Sequence, residues 1–315
     1  MNLPKIALGT WSWGTGMAGG DQVFGNNLGE KELQSVFDRA MENGLNLWDT
    51  AAVYGMGSSE RVLGSFVKAT KNPVILSTKF TPQIAGNEAD PVVSMCEGSL
   101  ERLGVDVIDI YWIHNPSDVE RWTPYLALLV KSGKIKSVGV SNHNLAQIKR
   151  AEEILSQEGV HISAVQNHYS LLYRSSEEAG ILDYCKENNI TFFAYMVLEQ
   201  GALGGKYDED HLMPVESQRG QTYNPILPKI SGLIGALREM ADSHNVAPAQ
   251  IAVAWAIAKG TTPIIGVTKP EQVDDAVKAT NVVLTGEEVT RLETLAKASG
   301  VDTRGAWEMP MVSKN

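Results

Sequence analysis

The feature that most constrains this chain is a regular alternation of short β-rich runs and amphipathic helical stretches, repeated from end to end. Ile6 to Trp13 is β-like. Glu30 to Asn43 has apolar residues at Leu33, Val36, Phe37, Ala40 and Met41, the spacing of one helical face, and Gly44 stops it. Strand-like runs then recur: one ending at Asp49, then Val74–Phe80, Val107–His114, Ile135–Ser141, Ile162–Gln166, Thr191–Tyr195 and Pro263–Gly266. Helical stretches separate most of them: Ser58 or Ser59 capping a helix to Ala69, Asp90–Leu103, Thr123–Lys131 with Pro124 at its first position, Leu145–Gln157 and Glu177–Asn188. Ser231–His244 and Pro248–Lys259 precede the final strand, and helices from Pro270 and from Gly286 to Ala298 follow it. Strands that alternate with helices pair in parallel through right-handed crossovers. Eight such units predict a closed (β/α)8 TIM barrel, with an open doubly wound sheet as the alternative. The chain has 315 residues, a common size for one barrel, and no composition change divides it, so residues 1–315 read as a single domain.

A barrel of this kind carries its chemistry at the C-terminal ends of its strands. Polar residues stand at those ends: Asp49, Lys79, His114, Ser141 with Asn142, Gln166 with Asn167, Tyr195, and Thr268 with Lys269. From Asp49 to Tyr195 the successive gaps are each roughly 30 residues, the length of one βα unit. Such spacing sets the groups in a ring around one mouth. The stretch Leu45–Gly55 (L-N-L-W-D-T-A-A-V-Y-G) presents an acid, Asp49, and a phenol, Tyr54, just past a strand. A buried carboxylate there needs a cation, and Lys79 is the one the ring supplies. An ammonium beside Tyr54 pulls its pKa down from about 10 and equips it as a general acid. His114 can orient a carbonyl oxygen on the same side. This set suits carbonyl reduction by hydride, and the hydride must come from a cofactor.

The motifs D-T-A-A-V-Y-G (49–55), S-T-K-F (77–80), D-I-Y-W-I-H-N-P (109–116), G-V-S-N-H-N (139–144), V-Q-N-H-Y-S (165–170), A-Y-M-V-L-E-Q-G-A-L-G-G-K-Y (194–207) and G-V-T-K-P-E-Q-V-D-D (266–275) resemble the aldo-keto reductases, in family order and over roughly residues 3 to 300. The resemblance implies an NADPH-binding barrel with a catalytic tetrad of Asp49, Tyr54, Lys79 and His114. It sets Ser141, Asn142 and Gln166 on the nicotinamide carboxamide, Tyr195 against the nicotinamide ring, and Thr10, Trp11 and Asp49 beside the cofactor. Leu198, Gln200, Gly201 and Leu203 would follow the pyrophosphate. Gly266, Thr268, Lys269, Gln272 and Asp275 would surround the adenosine phosphate. Lys269 at a helix start suits a 2′-phosphate, which favours NADP over NAD. Two departures stand out. Met196-Val197 replace a frequent Ser-Pro, and Ala276 replaces a frequent Asn; neither touches the tetrad.

Composition narrows the partners. With 27 Lys and Arg against 37 Asp and Glu the net charge is −10, which argues against nucleic acid. No apolar run reaches the roughly 20 residues of a membrane span, the start lacks a signal-peptide core, and Cys96 and Cys185 lie far apart. A cytoplasmic protein acting on a small-molecule carbonyl is the expectation. The histidines show no metal-ligand spacing, so no metal is expected.

Two decoys are set aside. Gly14–Gly19 matches G-x-G-x-x-G, but Gly20, Asp21, Gly25, Asn26 and Asn27 follow and the helix is expected to start only near Glu30, so it reads as a flexible mouth loop rather than a dinucleotide fingerprint. Ser141 lacks the following glycine of a nucleophile elbow. Trp11, Trp13, Trp112 and Trp307 are candidate pocket walls, with Trp11 foremost. The Gly- and Pro-rich zone 204–228 is a candidate lid. Proteins of this resemblance also include redox-sensing channel subunits, and a sugar or polyol dehydrogenase would use the same residues in the oxidative direction.

Overall fold

The computed structural model describes residues 3–311. Eight strands, β1 (Ala7–Gly9), β2 (Leu47–Asp49), β3 (Ile75–Phe80), β4 (Ile108–Ile113), β5 (Ile135–Ser141), β6 (Ile162–His168), β7 (Thr191–Tyr195) and β8 (Thr262–Gly266), form a closed barrel in sequence order. Every neighbouring pair is parallel, and β1 closes on β8 through Leu8 beside Ile265. Helices surround the strands, as the alternation predicts.

Register explains where the polar residues point. Side chains alternate between barrel interior and helical layer with period two. Asp49 pairs with Ser77, and Lys79, two residues on, shares that inward face and pairs with Trp112. Trp112 pairs with Gly139 on the same layer, two residues short of Ser141, and Ser141 pairs with Gln166. His168 and Tyr195 pair one step higher. One parity therefore sends Asp49, Lys79, Ser141, Gln166, His168 and Tyr195 into the barrel mouth, while Asn142 and Asn167 stand one residue off it. Beneath it, Trp112 and Phe193 plug the interior with ring centroids 5.2 Å apart at 82°. Gly139 makes the plug possible, since a Cβ there would meet Trp112 Cε3 at 2.1 Å. A much larger apolar layer joins the outer faces of the strands to the helices.

Several local expectations change. β1 ends at Gly9 rather than Trp13, because the chain turns at Thr10 to enter the mouth. The fourth long helix spans Val119–Lys131, so Pro124 lies inside it. It starts early because the Asp118 carboxylate caps it, accepting from the Arg121 N–H at 3.1 Å. Helix Ser58–Ala69 is preceded by Gly57 at φ 84 rather than capped by a serine; Ser59 Oγ donates instead to the Thr10 carbonyl at 2.7 Å. The helix after β6 is broken into Ser175–Glu178 and Ile181–Glu187 by Gly180 at φ 74. The mouth loop after β1 contains a short helix, Gly20–Phe24, and the zone 204–228 contains another, Gln218–Tyr223, followed by a 3₁₀ stretch, Asn224–Ile230.

Candidate active site

Asp49 and Lys79 face one another from the ends of neighbouring strands. Lys79 Nζ donates to Asp49 Oδ2 at 2.5 Å and to the Thr50 carbonyl at 2.7 Å. Their side chains are 4% and 0% exposed. Asp49 Oδ1 accepts from Ser77 Oγ at 2.5 Å and from Gln166 Nε2 at 3.1 Å, so both carboxylate oxygens are engaged. Burial alone would lower the Lys79 pKa, but Asp49 and Tyr54 outweigh it and raise it, which keeps the ammonium charged. Gln166 thus braces the acid at the barrel centre.

Tyr54 begins the 3₁₀ turn Tyr54–Gly57, and the Lys79 ammonium lies 5.2 Å from its ring centre. The expected fall in the tyrosine pKa is reversed: burial raises it most, Lys79 pulls it down, Asp49 pushes it up, and the net direction is upward. The phenol is therefore protonated at neutral pH, the state a proton donor needs. The His114 ring stands edge-on to Tyr54 with centroids 6.1 Å apart. Burial, with Lys79 adding to it, drives the His114 pKa down to about 3. The ring is a neutral imidazole whose Nδ1 shares a hydrogen bond with Thr81 Oγ1 at 2.8 Å. It can orient an oxygen but holds no spare proton charge.

A second helper set supports Tyr54. Glu60, fully buried, accepts from Thr78 Oγ1 at 2.6 Å and from Arg102 Nε at 2.6 Å. The Arg102 side chain packs under Gly57, where a Cβ would meet its Cδ at 2.6 Å. The turn carrying Tyr54 is thereby tied to the strand carrying Lys79.

The remaining ring residues fall into three places. Ser141, Asn142 and Gln166 are buried side by side at the ends of β5 and β6. The Asn142 amide donates to the His114 carbonyl at 2.9 Å and to Ser141 Oγ at 3.2 Å. The Tyr195 hydroxyl reaches Asn142 Oδ1 at 2.6 Å. Thr10 is buried and donates to the Asp49 carbonyl, while Trp11 stacks near Tyr54 with centroids 5.9 Å apart. Leu198, Gln200 and Gly201 lie at the 3₁₀ turn Glu199–Gly204, with Gln200 at φ 51 and Gly201 at φ 103. Leu203 is fully buried in the core, so only its backbone can face a ligand. At the far end, Thr268 N–H, Thr268 Oγ1 and Lys269 N–H converge on Gln272 Oε1 at 2.7, 3.2 and 3.1 Å. Gly266 borders open space, and Asp275 accepts from Gln250 Nε2 at 2.7 Å.

Two tryptophans leave the pocket list. Trp13 and Trp112 are fully buried: Trp13 donates to the Val267 carbonyl at 2.7 Å, and Trp112 forms the barrel plug. Trp307 instead joins Trp11 edge-on, centroids 6.4 Å apart, above Tyr54. Phe24 packs against the same Trp11 at 5.3 Å. Sequence reading also missed a buried triad. His168 Nε2 meets Glu199 Oε1 at 2.9 Å, and Nδ1 meets Glu308 Oε1 at 3.0 Å. Burial would lower the His168 pKa, but the two carboxylates raise it to about 9. The signal was available in part, since His168 follows Gln166 by two residues and shares its inward parity. Arg219, also missed, donates to the Gln200 carbonyl at 3.4 Å and brings a cation to the turn after β7.

The barrel mouth thus gathers a buried ammonium–carboxylate pair, a protonated phenol and a neutral imidazole in one site. The sequence matches the aldo/keto reductase family over residues 5–297, and the chain belongs to that family of oxidoreductases. The chloroplastic pyridoxal reductase of Arabidopsis thaliana is 32% identical, covering 95% of this chain and 85% of that protein. An aldo-keto reductase of Strobilurus tenacellus is 33% identical, over 93% and 90%. Among solved structures, a glycerol dehydrogenase from Gluconobacter oxydans superposes with a TM-score of 0.82 at 26% identity, covering 98% of this chain and 95% of its own. An aldo-keto reductase from Klebsiella pneumoniae in complex with NADPH gives 0.73 at 27% identity, over 93% and 91%. No helix among the described residues is long and apolar enough to cross a membrane, and none of their His, Cys, Asp and Glu side chains cluster as a metal site.

Proposed function

We propose that this protein reduces an aldehyde or ketone to the alcohol with NADPH, and that Tyr54 donates the proton. The observation that carries the reading is the buried Lys79–Asp49 pair beside a protonated Tyr54 and a neutral His114.

The residues present fit the cofactor. Ser141, Asn142 and Gln166 offer adjacent hydroxyl and amide groups that complement a carboxamide. Gly266 leaves open space at the end of β8. The donors now gathered on Gln272 Oε1, with the Lys269 side chain exposed beside them, match the oxygens of a 2′-phosphate, which favours NADP over NAD. Arg219 adds positive charge along the pyrophosphate segment. When bound, the cofactor supplies the hydride.

This chain's residues supply the rest. His114, locked by Thr81, presents a neutral ring to the carbonyl oxygen and orients it. As negative charge grows on that oxygen, Tyr54 transfers its proton to it. Lys79 stabilises the phenolate left behind, and that charge is worth more in a buried site than in water. Asp49 keeps Lys79 charged and in place. Trp11 and Trp307 shield the site from one side. The buried, widely separated cysteines suit a reducing compartment such as the cytoplasm.

The test is NADPH oxidation with a panel of aldehydes and ketones. A Tyr54→Phe protein that kept full turnover would sink the assignment. The likeness to a glycerol dehydrogenase supports a second reading, in which the same residues oxidise a polyol. Initial rates in both directions separate the two.

A further inference from the structure

The C-terminal segment beyond helix Gly286–Ala298 folds back across the barrel mouth and brings Glu308 within one hydrogen bond of Tyr195. Thr303 Oγ1 donates to Glu199 Oε1 at 2.8 Å, and Glu308 sits with its side chain fully buried against His168. Glu308 Oε2 accepts from the Gly305 N–H at 3.1 Å, and Oε1 accepts from the Tyr195 hydroxyl at 2.6 Å. The groups facing His168 are Glu199, Glu308, Tyr173 with ring centroids 4.4 Å away, and Tyr195 stacked at 5.5 Å. Tyr223 donates to Glu199 Oε2 at 2.8 Å, and Ser170 also donates to Glu199.

The Tyr195 hydroxyl has two acceptors and one proton. Asn142 Oδ1 and Glu308 Oε1 both lie 2.6 Å from it. The Asn142 amide cannot resolve the conflict by flipping, because its NH2 group is held by the His114 carbonyl and Ser141 Oγ. A hydrogen bond to a carboxylate is roughly twice as strong as one to a neutral amide, so the proton goes to Glu308. Asn142 Oδ1 is then left with only the weaker share of that proton, and its second lone pair is open to an incoming N–H.

We propose that Glu308 is a positioning residue for the cofactor. By drawing the Tyr195 proton onto the C-terminal segment, it keeps Asn142 Oδ1 available to the N–H of the nicotinamide carboxamide. This rests on the NADPH reading above. Glu308 acts through Tyr195 and touches no substrate. Without it, Tyr195 turns its proton fully to Asn142, and the carboxamide N–H must share that oxygen with a competing donor, which weakens its hydrogen bond.

The experiment is a fluorescence titration of the full-length protein with NADPH, run as a double-mutant cycle. Glu308→Ala is expected to weaken NADPH binding about tenfold, and Glu308→Gln, which keeps a neutral acceptor, about threefold. In steady state, KM for NADPH rises with the dissociation constant, while kcat falls by less. In a Tyr195→Phe background the hydroxyl is gone, so Glu308→Ala should add no further loss. Far-UV circular dichroism and thermal melting confirm that each variant is folded, and the glutamine variant carries the test where the alanine variant melts early. Equal losses from Glu308→Ala in both backgrounds would overturn this role while leaving the reductase reading intact. A wild-type protein that gave no NADPH signal would overturn both.

Discussion

The barrel mouth holds two buried charge clusters built on opposite plans. Asp49 and Lys79 are one acid and one cation on neighbouring strands, and every oxygen of the acid is engaged by strand residues or their immediate neighbours. His168, Glu199 and Glu308 are one cation between two acids, and their elements are unrelated in the chain: a strand end, a 3₁₀ turn and the C-terminal segment. The first cluster is balanced, and its purpose is local charge beside a phenol. The second carries one more acid than base, and neutral hydroxyl donors from Ser170, Tyr195, Tyr223 and Thr303 make up the difference. A buried charge survives only when it is paired and hydrogen-bonded. The difference teaches that the same requirement yields a rigid ion pair where strands supply both partners, and a fastener for an irregular segment where they do not.

That contrast can be broken at its strongest point first. Tyr54→Phe should lower kcat/KM by about 10²- to 10⁴-fold, the usual worth of a positioned proton donor, with NADPH binding retained in a fluorescence titration. Lys79→Met strips the cation from an acid buried on all sides. It should cost about 3–5 kcal/mol in urea unfolding, and adding Asp49→Asn should recover part of that loss. His168→Gln should cost less, about 2–3 kcal/mol, because the glutamine amide and four hydroxyls still reach the two acids. Limited proteolysis should then cut the segment after Gly300 faster in this variant than in Lys79→Met.

The smallest effect is a pH dependence that belongs to the second cluster alone. His168 is raised from an ordinary value of 6.5 to about 9, so the folded protein holds this proton more tightly than the unfolded chain. The stability it contributes is fully present below about pH 6.5 and is lost as pH rises through about 9. Urea midpoints measured between pH 6 and 9.5 should fall for the wild type more than for His168→Gln. Equal slopes would show that the triad does not hold its proton in this way.

Much of the first cluster was legible in the sequence. Regular spacing of strand ends, together with the period-two rule, is enough to bring Asp49, Lys79, His114, Ser141, Gln166 and Tyr195 to one face. The second cluster was only half legible. His168 obeys the same parity, but nothing local marks Glu199 as inward-facing, because it sits at φ 47 in an irregular turn. Glu308 lies 140 residues from His168 in a segment with no periodicity to read. The tryptophans divide along the same line. Trp13 and Trp112 are candidate pocket walls by sequence, yet packing against Trp48 and Phe66 for the first and Phe193 for the second makes them core. Trp307 became part of the mouth because Glu308, its neighbour, is pinned beneath it.

The chain alone determined eight alternating βα units and the ring at their strand ends, because those follow from alternation and spacing that recur every unit; closure rather than an open sheet is decided by β1 pairing with β8. Only the tertiary structure decided the proton states and the cover. Burial reversed the expected fall in the Tyr54 pKa and left His114 neutral, since desolvation depends on what surrounds a group rather than on its place in the sequence. The C-terminal segment found its position through a buried histidine 140 residues earlier in the chain, a long-range pairing that no local pattern encodes.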